Sequence, residues 1–151
     1  MKIQICSYRE ALKFSPLVPT YAIRIFSTNQ KPIGLINSPN WVHIAAYTFD
    51  EESLEEYLSF SEEEKKAIPV TLFTETTAKN ILEDFIKFKD CCESMLVHCV
   101  TGVNRSKAIG KAMNDILDLG NPNDIFLNKY KELNCRHFYD TMIRQAQKMG
   151  M

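Results

Sequence analysis

Met95-Leu96-Val97-His98-Cys99-Val100-Thr101-Gly102-Val103-Asn104-Arg105-Ser106 is the stretch from which the fold can be read. Met95 to His98 is a short, continuous apolar run of the kind that forms a strand buried on both faces of a parallel sheet. Beyond the polar loop, Ser106 to Leu119 reads as a helix ended by Gly120, with Asn121-Pro122 after it. Upstream, Thr74 to Lys89 carries Ala78, Ile81, Leu82, Phe85, Ile86 and Phe88 close to helical spacing, and Thr74 or Thr76 can cap its start. Helix, strand, loop and helix in that order make an α/β crossover, with the loop at the carboxyl end of the strand.

Working outward, the first half of the chain reads as strands separated by turn-formers. Ile3 to Cys6, Tyr21 to Phe26 and Trp41 to Phe49 are the strand candidates; Ser15-Pro16, Lys31-Pro32, Gly34 and Asn37-Ser38-Pro39-Asn40 punctuate them. Asp50 to Lys66 shifts to a glutamate-rich composition with Leu54, Tyr57, Leu58 and Phe60 interspersed, which predicts one or two short solvated helices. Helices are also expected over Asp124 to Leu133 and Phe138 to Lys148. The predicted fold is α/β, a central, mostly parallel sheet flanked by helices on both faces, in a single domain over residues 1–151.

Composition narrows the function classes. The 18 Lys and Arg nearly balance the 19 Asp and Glu, and a net charge of -1 gives no electrostatic track for nucleic acid or a membrane surface. No apolar run approaches membrane-spanning length, and Arg9 and Glu10 interrupt the first apolar stretch before it resembles the core of a secretion signal. Five cysteines, an odd number without regular spacing, suit a reducing compartment, so a cytoplasmic location is expected. Cys6 and Cys135 make no ligand spacing with His43 or His137, and no metal or other cofactor is expected.

The loop itself has the parts needed to attack a phosphate monoester. Such an ester repels nucleophiles with its anionic oxygens, so a catalyst must neutralise that charge while holding an activated attacker in line. A free thiol is mostly protonated at neutral pH, and a short loop between a strand end and a helix start can lower its pKa with inward-pointing N–H groups and the helix dipole. Cys99 occupies that position. Arg105, six residues later, returns at the helix start, where its planar fork can grip two phosphate oxygens. Gly102 suits the bend, the Ser106 hydroxyl can hydrogen-bond the sulfur, and His98 can tie down the loop backbone from below.

His98-Cys99, five residues with Gly102 third after the cysteine, then Arg105-Ser106 resembles the signature of the protein tyrosine phosphatase superfamily, most closely its small, dual-specificity-like members. The resemblance covers Met95 to Leu119. It implies a protein tyrosine or dual-specificity phosphatase that hydrolyses a phosphorylated protein or peptide through a phosphocysteine at Cys99. It implies further that Arg105 and the loop residues Val100, Thr101, Gly102, Val103 and Asn104 enclose the phosphate, that Ser106 aids departure of the thiolate, and that His98 has a supporting part. The superfamily also uses an aspartate on a separate loop to protonate the leaving oxygen. Asp50, directly after a strand-like run, is the candidate, with Glu51, Glu52 and Glu75 as substitutes.

Two other functions compete. Gly102-Val103-Asn104-Arg105 is similar to the loop of RNA triphosphatases of the same superfamily, and a catalytically weak module that binds phosphorylated partners would keep the same cradle. Cys91 and Cys92 read as ordinary half-buried thiols, with a protective disulfide to the nucleophile as the alternative. Trp41, Tyr47 and Tyr57 read as core aromatics, with the walls of an aryl-binding cleft as the alternative.

Overall fold

Two strands of the computed structural model, which describes residues 1–151, are buried along their whole length. These are β2 (Thr20–Phe26) and β4 (Ser94–Cys99), whose apolar residues do not alternate with polar ones because both faces of each strand are covered. With β1 (Lys2–Ser7) and β3 (Trp41–Thr48) they form one sheet in the order β1-β4-β2-β3, and every neighbouring pair is parallel. The all-parallel arrangement puts the carboxyl ends of all four strands along one edge. Ser7, Cys99, Ser27 and the segment after Thr48 therefore converge there.

Helices cover the sheet unequally. On one face, α4 (Glu75–Ile86), α5 (Arg105–Ile116) and α6 (Arg136–Lys148) bury Ile81, Leu82 and Phe85, then Ala108, Ile109, Ala112 and Met113, then Phe138, Met142 and Ala146. They pack on Met95, Val97 and Cys99 of β4 and on Tyr21, Ile23 and Ile25 of β2. At ~25 cal/mol per Å² of apolar area, each fully buried phenylalanine or isoleucine in this layer contributes about 2 kcal/mol. The alternate residues of the same strands, Leu96 and His98 with Ala22, Arg24 and Phe26, face the other way. There α1 (Tyr8–Lys13) covers them with Ala11 and with Tyr8, whose ring lies 6.2 Å from Phe26 and 5.9 Å from His98. The 27–40 connection lies over the same face, because Arg24 Nη2 donates to the Ile33 carbonyl at 2.7 Å and the Ile33 N–H donates to the Tyr8 hydroxyl at 2.8 Å.

Local chemistry accounts for most element ends. Three helices open with a serine whose side chain and a glutamate three residues on cap each other reciprocally: Ser7 with Glu10 at α1, Ser53 with Glu56 at α2 (Leu54–Leu58), and Ser61 with Glu64 at α3 (Glu62–Ala67). The two solvated helices expected after Asp50 are α2 and α3. Thr74 caps α4 by accepting from the Thr77 N–H.

One expectation is corrected and one element went unread. At Tyr8–Lys13, where no element was expected, the Ser7 capping box starts a helix. The helix expected over Asp124 to Leu133 is instead a single 3-10 turn, Asn123–Ile125, followed by loop. Asn128 is the cause: its side-chain oxygen accepts the N–H groups of Tyr130 and Glu132 at 2.9 and 3.1 Å, bonds that a helix would need for its own ladder. No helix is long and apolar enough to cross a membrane.

Candidate active site

Cys99 ends β4 and α5 begins after five intervening residues, so the chain must turn through Val100 to Asn104 to bring the helix N-terminus back over the strand end. Gly102 makes the bend with φ +74, and its backbone lies against the end of β1. A Cβ there would meet the Cys6 carbonyl carbon at 2.6 Å and the Ser7 nitrogen at 2.7 Å, so both the conformation and the space exclude a side chain. The Tyr8 N–H donates to the Val100 carbonyl at 3.2 Å and pins the first loop residue to α1.

The loop closes around the sulfur. Cys99 is wholly buried, its Sγ lies 3.2 Å from the Ser106 hydroxyl, and the Gly102 N–H donates to it at 3.3 Å. Burial opposes ionisation of this thiol. The Ser106 hydroxyl, the N–H groups of Ser106 and Gly102, and the Arg105 guanidinium together outweigh it and hold the Cys99 pKa below the ordinary thiol value. Asn104, the residue before α5, makes no side-chain cap, which leaves the N–H groups of the helix start facing the cradle.

Arg105 is 3% exposed, and only one end of its guanidinium is engaged. Nη1 donates to the Phe49 carbonyl at 2.8 Å and the Ser27 hydroxyl at 3.0 Å, which fixes the plane from the ends of β3 and β2. Its Nε is buried without a hydrogen-bond partner. The nearest acceptor, Glu51 Oε1, is 3.9 Å away, an ion-pair distance but too long for a hydrogen bond. A buried, charged donor without an acceptor is costly, and an anion in the loop would relieve it.

His98 lies beneath the loop on the opposite face of β4. Its Nε2 accepts from Arg24 Nε at 2.9 Å, and burial, reinforced by the Arg24 charge, pushes its pKa down to about 4. The ring is therefore neutral at pH 7 with its proton on Nδ1, a supporting group rather than a proton carrier. Arg24 was missed in the sequence, although a lone arginine inside the apolar run Tyr21 to Phe26 signals a buried partner.

Asp50 and Glu51 part company at the end of β3. Asp50 accepts the Thr28 N–H at 3.0 Å, the Thr71 N–H at 2.7 Å and the Thr28 hydroxyl. Burial pushes its pKa up, but those bonds and the Arg105 charge leave it below the usual carboxylate value. An ionised carboxylate with both oxygens occupied is an anchor that ties the 27–28 and 71 segments together, and it is a poor proton source. Glu51, one of the three substitutes, has its carboxylate turned to the loop: Asn104 Nδ2 donates to its Oε1 at 3.1 Å. The backbone just before it is held by Phe49, Phe73 and Phe138, whose ring centroids lie 4.6 to 5.3 Å apart. Glu75 pairs instead with Lys148 at 2.7 Å.

The remaining candidates lie away from this cradle. Cys91 and Cys92 precede β4 while Cys99 ends it, roughly 20 Å further along a strand that rises ~3.3 Å per residue, so neither can form a disulfide with Cys99. Trp41 starts β3 at the opposite end of the sheet, where its indole N–H donates to Ile36, and Tyr47 bonds Asp84 of α4. No group of three or more His, Cys, Asp or Glu side chains is placed to hold a metal ion. Compared with known proteins, the chain matches no family model and no curated protein.

One expected result follows from the Ser106 contact. The rate of a thiolate nucleophile rises with pH as Cys99 ionises and levels off above its pKa. Ser106→Ala removes a bond that lowers this pKa, so the acid limb moves to higher pH. The alkylation rate of Cys99 by iodoacetate against pH reports the shift without any substrate; an unmoved limb would show that the hydroxyl does not stabilise the thiolate.

Proposed function

We propose that this chain is a cysteine-dependent phosphomonoester hydrolase of the protein tyrosine or dual-specificity kind, acting on a phosphorylated protein or peptide. One observation supports this reading above the others: a buried cysteine with a lowered pKa shares its loop with a buried arginine whose Nε has no partner. Nucleophile and anion cradle are the two parts that phosphoryl transfer to sulfur requires.

In the proposed reaction the phosphate enters the loop and takes the free Arg105 donors and the N–H groups at the start of α5. Cys99 Sγ attacks phosphorus in line, the P–S bond forms as the ester P–O bond breaks, and a protonated Glu51 gives its proton to the leaving oxygen. Water then attacks the phosphocysteine and yields its proton to the Glu51 carboxylate. As the P–S bond breaks, the Ser106 hydroxyl donates to the departing sulfur. Val100 and Val103, 42% and 44% exposed, give the loop an apolar rim suited to the aryl or alkyl part of the ester. The test is hydrolysis of an aryl phosphate by the wild type and by Cys99→Ser: turnover that survives the substitution sinks the mechanism.

A further inference from the structure

Five hydrogen bonds run in one direction from the 126–135 loop to the carboxylate of Glu51. The N–H groups of Tyr130 and Glu132 donate to Asn128 Oδ1 at 2.9 and 3.1 Å. Asn128 Nδ2 donates to Asn134 Oδ1 at 2.8 Å, Asn134 Nδ2 donates to Asn104 Oδ1 at 3.0 Å, and Asn104 Nδ2 donates to Glu51 Oε1 at 3.1 Å.

The polarity of this chain is not a free choice. Side-chain amides can turn end for end, but a backbone N–H can only donate, so Asn128 must present its oxygen to Tyr130 and Glu132 and its nitrogen to Asn134. Each later amide is then fixed in turn, because reversing any one sets oxygen against oxygen on one side and N–H against N–H on the other. The starting point is itself held: the Asn128 N–H donates to the Glu132 carbonyl at 2.8 Å and the Lys131 N–H donates to the Asn128 carbonyl at 2.9 Å.

We propose that Asn134 is a positioning residue that, backed by Asn128, orients the Asn104 amide so that Glu51 Oε1 always receives an N–H and the transferable proton resides on Oε2. This rests on the reading of Glu51 as the leaving-group acid. Asn134 touches neither phosphate nor sulfur. It sets which carboxyl oxygen can carry the proton and turns that oxygen toward the space above the loop. The 126–135 loop, where a helix was expected, thereby becomes part of the acid's support.

The test compares Asn134→Ala, Asn134→Asp and Glu51→Gln, singly and with Asn134→Ala combined with Glu51→Gln, on phenyl and p-nitrophenyl phosphate. General acids contribute about 10²- to 10⁴-fold, mostly for leaving groups that need a proton, so Asn134→Ala is expected to lower kcat about tenfold with phenyl phosphate and under about threefold with p-nitrophenyl phosphate. KM and the binding of tungstate stay near wild type. Asn134→Asp nearly preserves size yet offers Asn104 no donor, so the Asn104 amide turns round and presents oxygen to Glu51. Its leaving-group dependence should equal or exceed that of Asn134→Ala, whereas a packing role would make it the milder change; should Asn134→Ala fail to fold, this variant carries the test. In the Glu51→Gln background, Asn134→Ala should add no further dependence. If Glu51→Gln is steep across leaving groups and both Asn134 variants are flat, the positioning role is overturned while the acid assignment stands. If Glu51→Gln is itself flat, the acid assignment falls and the positioning role falls with it.

Discussion

Arg105→Lys is expected to lower kcat/KM for aryl phosphate hydrolysis about a thousandfold, a loss of about 4 kcal/mol in transition-state stabilisation. Lysine keeps the charge but not the fork. Arg105 divides its donors, with Nη1 bonded to Phe49 and Ser27 and Nε free for the proposed anion, and a single ammonium cannot hold both directions at once. The substitution also removes the cross-brace between the ends of β2 and β3, which sets the distance of Glu51 from the loop. Steady-state kinetics and phosphate inhibition measured together distinguish the contributions: both should weaken, with kcat falling as well as KM rising, because the fork both binds the phosphate and holds the transferring group in line in the transition state. An unchanged inhibition constant for phosphate would show that Arg105 does not face the anion.

Cys99→Ser is expected to abolish turnover, by about four orders of magnitude or more, while leaving oxyanion binding largely intact. A hydroxyl in the same place is not ionised at neutral pH, whatever the Ser106 and Gly102 donors supply. The same donors still ring the pocket, and removing the thiolate's negative charge lessens repulsion toward a bound anion. Tungstate binding by calorimetry should therefore persist in the inactive protein. Loss of binding together with activity would point to a collapsed loop instead of a missing nucleophile.

The parts of the fold that the sequence made legible are those with a local cause. Met95 to His98 could be read because a strand covered on both faces is apolar throughout, and α5 because Gly120 and Pro122 bound a periodic run. The capping boxes of α1, α2 and α3 are equally local, yet α1 was overlooked because its six residues are too few to show a helical period. The loss of the helix over Asp124 to Leu133 depends on one asparagine that bonds backbone groups two and four residues on, a choice that helix periodicity does not register.

The candidate site divides in the same way. Cys99, Gly102, Arg105 and Ser106 belong to one contiguous turn, and their mutual geometry follows from strand, bend and helix. The carboxylate does not. Asp50 and Glu51 are neighbours in sequence, and what separates the anchor from the proposed acid is supplied by Thr28 and Thr71 on one side and Asn104 on the other. Likewise Ser27 and Phe49 meet Arg105 only because three parallel strands end along one edge. Arg24 alone among the missed residues left a sequence signal, a charge within a buried strand.

The proposed chemistry turns on Cys99 accepting the phosphoryl group. Rapid mixing with an aryl phosphate, acid quench within one turnover, and peptide mass analysis measure this directly. One phosphoryl group is expected on the peptide that contains Cys99, absent in Cys99→Ser and longer-lived in Ser106→Ala. Turnover that proceeds with the phosphoryl group on another residue, or with no phosphoenzyme while Cys99→Ser remains active, would contradict it.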